Sequence, residues 1–158
     1  MKTMIVLSDS HGNADGVRAM QGRFAENDYV VHLGDGFHDM REVRKEYPMK
    51  VHQVVGNCDF CYGMREAELS VEGVDVFFCH GHLYGVKKSL ADLAAEAKRR
   101  GCALALYGHT HEPLVTQVEG VTLVNPGSFN RYEQNYAYIV FNRGKFTVTL
   151  VSRGEKLV

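Results

Sequence analysis

Five short runs dense in Val, Ile, Leu, Phe or Tyr each stop at a cluster of glycine and polar residues, and this repeated punctuation restricts the fold more than any other feature. The runs cover residues 3–7, 29–33, 51–55, 74–79 and 103–107. Continuous apolar stretches of that length suit strands buried on both faces. Helical spacing fills the gaps between them. Asn13 suits the N-cap of a helix with Val17, Met20 and Phe24 on one face, weakened by Gly22. A second helix is expected over residues 40–47, stopping before Pro48. In a third, Val86, Leu90, Leu93, Ala94 and Ala97 share a face, Lys98, Arg99 and Arg100 occupy the last turn, and Gly101 ends it. The last third reads as a strand meander over residues 114–118, 121–124, 136–141 and 145–152, with turns at Glu119-Gly120 and Asn142-Arg143-Gly144. Strand–helix alternation followed by a meander predicts an α/β chain of two packed sheets with helices outside. There is no linker, repeat or low-complexity stretch, so residues 1–158 read as a single domain.

Composition narrows the class. With 45% hydrophobic and 23% charged residues, the chain is neither disordered nor a coiled coil nor collagen-like. No apolar run approaches the roughly 18 residues needed to cross a bilayer. The first residues turn polar too soon for a signal peptide, so a cytoplasmic protein with no membrane partner is expected. Eighteen basic and 19 acidic residues give a net charge of −1, without the basic footprint of a nucleic-acid-coating protein. Cys58, Cys61, Cys79 and Cys102 are expected to be reduced thiols. Cys58-Asp59-Phe60-Cys61 lacks both the second pair of a zinc ribbon and the βαβ setting of a thioredoxin site. The outlier is histidine, eight in number.

Most of these histidines fall where the apolar runs end. In open α/β sheets, ligands collect beyond the carboxyl ends of the strands. Asp9 and His11 follow the first run, Asp35 the second, Asn57 and Asp59 the third, His80 and His82 the fourth, and His109 and His111 the fifth. Asn125-Pro126-Gly127-Ser128 follows a later one. Each cluster alone would suit a turn; five in a row directly after buried runs mark a site. Imidazole, carboxylate and amide donors without paired thiolates suit Mn, Fe, Zn or Ni. Asp9, His11, Asp35, Asn57, His80, His109 and His111 are too many for one four-coordinate ion. Two ions about 3.5–4 Å apart would use them all if one carboxylate bridged. Two divalent cations less two carboxylates and a hydroxide leave the site positive, so it should attract an anion such as a phosphate ester.

Asp-x-His, Gly-Asp, Gly-Asn-x-Asp, a later His and Gly-His-x-His, in this order from Asp9 to His111, resemble the motifs of the calcineurin-like metallophosphoesterases. Gly-Asn-Cys-Asp and Asn-Pro-Gly-Ser are similar to the compact YfcE-type phosphodiesterase branch. The resemblance implies a four-layer α/β/β/α sandwich of two mixed β-sheets. It implies that Asp9, His11 and His111 hold one ion, that Asn57, His80 and His109 hold a second, and that Asp35 bridges. Manganese is expected ahead of nickel, iron or zinc. The implied catalytic set is Asp35, Asn57, Asp59 and His80, and the implied activity is that of a metal-dependent phosphoric ester hydrolase, a phosphodiesterase. A metal-bridging hydroxide would attack phosphorus in line with the leaving oxygen, without a covalent enzyme intermediate.

One position departs from the pattern. Many relatives place a His, held to protonate the leaving group, where this chain has Cys58. A thiol, with a reference pKa near 8.5 against about 6.5 for imidazole, is a weak donor. Such general-acid help is worth roughly 10²–10⁴-fold, so small phosphodiesters with good leaving groups are the expected substrates. Asp59, which would orient the missing His, is retained. Cys58 and Arg131 are expected at the substrate. His82 is a candidate ligand or substrate contact, and His38 a cleft or loop residue. His32 and His52 read as ordinary strand histidines, and Phe60 and Tyr62 as an apolar wall or as packing. A metallo-β-lactamase-type hydrolase would need His-x-His-x-Asp-His, which residues 80–85 do not provide. The alternative from another class is a non-catalytic protein-binding scaffold like the retromer subunit of similar fold; the complete ligand set disfavours it. The expected partner is a small-molecule phosphoester, with nucleic acid disfavoured, and hydrophobic edge strands near the C-terminus would allow a homo-oligomer.

Overall fold

In the first strand, β1 (Lys2–Leu7), Met4 and Val6 pack into one hydrophobic cluster while Ile5 and Leu7 pack into another, so both faces are buried. That alternation, repeated in other strands, builds the layers. The computed structural model describes residues 1–152 and 155–157. After β1 come α1 (Ala14–Arg18), α2 (Gln21–Glu26), β2 (Tyr29–His32), a 3₁₀ turn (Phe37–Met40) running into α3 (Arg41–Glu46), and β3 (Val51–Gln53). Then follow β4 (Glu66–Val71), β5 (Val74–Cys79), a 3₁₀ turn (His82–Tyr84), α4 (Ala91–Arg99), β6 (Leu104–Leu106), β7 (Leu114–Val118) and β8 (Val121–Asn125). The chain closes with β9 (Tyr136–Asn142), β10 (Lys145–Ser152) and β11 (Glu155–Leu157).

Two mixed sheets result. One runs β11-β10-β9-β1-β2-β3 and the other β4-β5-β6-β8-β7. β1, β2 and β3 are parallel, as are β5, β6 and β8, and antiparallel strands flank each trio. Met4, Val6, Val31, Val76, Phe78, Leu104, Leu106 and Ile139 fill the space between the sheets. Val17, Phe24 and Val43 bring α1, α2 and α3 onto the outer face of the six-stranded sheet. Leu93, Ala94 and Ala97 bring α4 onto the outer face of the other. This is the expected α/β/β/α sandwich. Leu7 pairs with His32 and His32 with Gln53, while Phe78, Leu106 and Val124 are level in the second sheet, so each parallel trio ends on one line.

Several local expectations change. The first helix breaks at Ala19–Met20 into α1 and α2. Asn13 does cap α1, accepting the Gly16 N–H at 3.1 Å. The third helix starts only at Ala91, because left-handed Gly81 and Gly85 bracket a 3₁₀ turn ahead of it. Its end is as expected: Gly101 at φ +75° lets the Cys102 N–H reach the Ala97 carbonyl at 2.9 Å. The meander is not one unit. Its first hairpin, β7–β8, joins the five-stranded sheet, and its second, β9–β10, the six-stranded sheet, because residues 126–135 cross between them. β4 and β11 are additional; β4 is an edge strand whose charged residues hid its pattern. No helix among the described residues is long and apolar enough to cross a membrane.

Candidate metal centre

The loops that leave the parallel strands meet where the two sheets face each other. Asp9 and His11 follow β1 and Asp35 follows β2, from one sheet; His80 follows β5, and His109 and His111 follow β6, from the other. Their donor atoms form two groups, Asp9 with His11 and His111, and Asp35 with His80 and His109, each with all atoms within 4.8 Å of one another. His111 Nε2 lies 3.1 Å from Asp9 Oδ1 and 3.3 Å from His11 Nε2. His80 Nε2 stands between the groups, 3.2 Å from Asp35 Oδ2 and 3.8 Å from Asp9 Oδ1. His11 Nε2 also spans them, 3.5 Å from Asp9 and 3.9 Å from Asp35.

Backbone conformation aims these side chains. Asp9, His11, Asp35, His109 and His111 all have φ between +44° and +72°, and they are five of the nine non-glycine residues with positive φ among those described. Such conformations cost of order 1–3 kcal/mol each and concentrate at functional sites. Glycines are required where backbone meets carboxylate. A Cβ on Gly108 would fall 2.6 Å from Asp9 Oδ2, and one on Gly56 would fall 2.2 Å from Asp35 Oδ1.

Each carboxylate is held by one oxygen and offers the other. Asp9 Oδ2 accepts the Ser8 hydroxyl and the His109 N–H, leaving Oδ1 toward the imidazoles. Asp35 Oδ1 accepts the Cys58 N–H at 2.8 Å, leaving Oδ2 toward His80. Burial opposes ionisation of Asp35, but contact with His80, the Cys58 N–H and the charges of His80 and His11 outweigh it and hold its carboxyl well below the usual range. Burial likewise opposes a cation at His80, yet Asp35 and Asp9 outweigh it and raise its pKa, so the pocket favours positive charge at this point. Burial, then the nearby His80 and Lys87, lower the pKa of His109, which keeps it neutral as a ligand must be.

His80 provides the test of whether an ion fits. Its Nδ1–H donates to the Leu33 carbonyl at 2.8 Å, so the neutral ring presents a bare Nε2 lone pair. That nitrogen is buried and has no hydrogen-bond partner among the described residues. A buried polar atom in this state is costly unless something pairs with it. With the Asp35 and Asp9 oxygens facing it and the His109 and His82 rings beside it, a divalent cation is the matching partner. The residues present fit a pair of such ions.

Other expected site residues fall at different distances. Asn57 is exposed in the turn after β3, its amide nitrogen 3.6 Å from Cys58 Sγ, beside the carboxylate that Cys58 holds. Asp59 has no oxygen to spare: Oδ2 accepts the N–H groups of Asp35 and Gly56, and Oδ1 those of Gly36 and Phe37. Burial raises its pKa, but these four donors outweigh burial and lower it. Asp59 is therefore spent on the backbone that carries Asp35 and on Gly56. Arg131 is exposed and lines a cavity of about 1130 Å³ between α1, α2 and the outer face of the six-stranded sheet. His82 lies beside the centre, its ring tilted and 5.4 Å from that of His80 and 6.1 Å from that of His109. His38 is exposed, and Phe60 and Tyr62 point fully into solvent rather than packing.

The sequence reading missed the residues behind the ligands. His32 is not an ordinary strand histidine; it is fully buried and hydrogen-bonded to Ser10. Ser8 and Ser128 hold Asp9 by its side chain and its carbonyl. Their one sequence signal is proximity to a ligand or to the Asn-Pro-Gly-Ser turn.

Comparison with known proteins agrees with this geometry. The calcineurin-like phosphoesterase superfamily domain matches residues 1–144. YsnB of Bacillus subtilis (strain 168), a probable metallophosphoesterase, is 30% identical over 151 residues, covering 92% of this chain and 88% of its own. A crystal structure of a conserved protein from Streptococcus pneumoniae TIGR4, described as a predicted phosphoesterase, has a TM-score of 0.84 at 27% identity and covers 99% of this chain and 92% of that one. Vps29 of Entamoeba histolytica, complexed with Zn²⁺, has a TM-score of 0.72 at 19% identity, with 95% and 92% coverage, which is a likeness of fold.

Proposed function

The chain belongs to the calcineurin-like phosphoesterase superfamily, and from that premise we propose that it is a two-metal phosphodiesterase acting on small phosphodiesters with good leaving groups. The observation that carries this reading is the buried Nε2 of His80, which makes no hydrogen bond among the described residues and is set between the Asp35 and Asp9 carboxylates. Asp9, His11 and His111 would hold the first ion, His80, His109 and Asn57 the second, with Asp35 between them. When bound, the ions supply Lewis acidity and a water of lowered pKa. Asp35, kept ionised, would offer its free oxygen between the two sites. Asp59 keeps Asp35 in place through the N–H groups of residues 35–37. Cys58 stands beside Asp35, and burial together with the Asp35 charge raises its thiol pKa. A weak acid at that position makes the rate depend on the leaving group's own stability. Manganese is the proposed metal, and the proposed setting is cytoplasmic.

A scaffold reading draws on the exposed Phe60, Tyr62 and Met64, which offer apolar contact area. It gives no reason for five left-handed ligand residues or for a buried imidazole nitrogen set between two carboxylates. The deciding experiment combines metal analysis of the purified protein with a panel of aryl phosphodiesters and monoesters in manganese. Two bound ions per chain and turnover of a diester are expected; an absence of both metal and turnover would overturn the proposal.

A further inference from the structure

Behind the Asp9–His11 turn lies a polar cluster that the reaction itself does not use. His32 and Ser10 are both fully buried. The Gly34 N–H donates to His32 Nδ1 at 3.1 Å, so that nitrogen accepts and Nε2 carries the ring hydrogen. Nε2–H donates to Ser10 Oγ at 2.9 Å. The Ser10 hydroxyl then donates to Asp39 Oδ2 at 2.6 Å, and the same oxygen accepts the Gly12 N–H at 3.0 Å. Burial keeps the His32 ring neutral, with a pKa lowered to about 4, which agrees with the accepting role of Nδ1. The hydrogen bonds therefore run in one direction from the end of β2, through Ser10, to the 3₁₀ turn that carries Asp39.

Ser10 sits between two candidate ligands of the first ion, Asp9 at φ 53° and His11 at φ 44°. Asp and His enter that backbone region more readily than most side chains, yet holding it still costs free energy and needs support from the surroundings. If the turn relaxed, His11 would swing away from Asp9 and His111. The second group, Asp35 with His80 and His109, hangs from other loops.

We propose that His32, Ser10 and Asp39 are positioning residues that lock the Asp9–His11 turn in its left-handed form, so that the first ion's site is built before any metal arrives. The consequence for metal binding rests on the two-metal reading above; the lock itself does not. The contacts demand acceptors at Asp39 but not a charge there, because one oxygen takes both hydrogens. Asp39→Asn should therefore preserve the lock, and Asp39→Ala should break it.

The test uses the full chain and these two variants, at a half-buried position outside the core. In the metal-free protein, amide exchange is followed at His11 and Asn13, whose N–H groups donate to the Asp35 and Ser10 carbonyls at 3.0 Å each. Asp39→Ala should exchange these amides on the order of tenfold or more faster, leave the strand amides of Val31 and Leu106 unchanged, and be rescued by Asp39→Asn. Unchanged protection in Asp39→Ala, or uniform acceleration along the whole chain, would overturn the lock. Cobalt titration followed by visible absorption then reads the consequence. In Asp39→Ala one of two ions should bind roughly 10–100-fold more weakly, with an altered absorption band, while Asp39→Asn keeps both. Two ions bound by Asp39→Ala with the native affinity and spectrum would overturn the proposed consequence. A native chain that binds no cobalt would overturn the two-metal reading, and the exchange result would still decide the lock.

Discussion

Buried without charge, His32 makes the protein's stability depend on pH. Burial is the main cause of its low pKa; Asp39, Asp9 and Asp59 pull upward and His80 downward, without reversing it. In the unfolded chain His32 takes a proton near 6.5, and in the folded chain only near 4. Between those values the unfolded state binds the extra proton, so stability is whole above pH 6.5 and falls as the pH is lowered toward 4. The full contribution is about 3 kcal/mol. Urea denaturation at a series of pH values should show this slope in the native chain and a shallower one in His32→Gln. At Asp35, replacement by Asn should abolish two-ion occupancy and nearly all turnover, which metal analysis and an aryl diester assay would read; full activity would contradict its bridging role. At Cys58, log rate plotted against leaving-group pKa should fall steeply, and a flat line would refute the weak-acid argument. The ligands were legible in the sequence because each lies within four residues of the end of an apolar run. His32, Ser10 and Asp39 were not, because their partnership spans up to 29 residues and appears only once β1 and β2 pair.

Among the elements, α4 and the β4–β5 hairpin are joined by Arg100. Its guanidinium reaches Glu66 at 2.6 Å, Glu96 at 3.2 Å and Glu68 at 3.3 Å, and lies 4.4 Å from the Phe77 ring centroid. Lysine cannot reproduce that planar, forked contact. Arg100→Lys should cost about 1–3 kcal/mol, read as a lower melting temperature with metal occupancy unchanged. β4 itself escaped the sequence reading because Glu66, Glu68 and Ser70 alternate with Ala67, Leu69 and Val71, so this edge strand has no continuous apolar run. The buried parallel strands were readable because both faces are apolar. Helix ends were readable at Asn13 and Gly101, where one side chain or one positive φ sets the boundary. The break between α1 and α2 carries no such marker.

For the whole molecule, ions that bind only the folded state should raise its stability by mass action. Manganese at 100 times its dissociation constant would add about 2.7 kcal/mol per site, or about 5–11 °C in Tm for a chain of this size. Thermal melts with and without chelator would check this, and coincident curves would argue against specific binding. The chain path gives the same centre another meaning. The chain builds β1 to β3 in one sheet, β4 to β8 wholly in the other, and then returns for β9 to β11. The five-stranded sheet is thus a guest spliced into its host, and a single cut at the solvent-facing Tyr62 would leave Asp9, His11 and Asp35 on one fragment and all three distal histidines on the other. Cut there, the chain would become a split protein, and cations at the proposed centre would be the clasp by which two halves could report their own reunion.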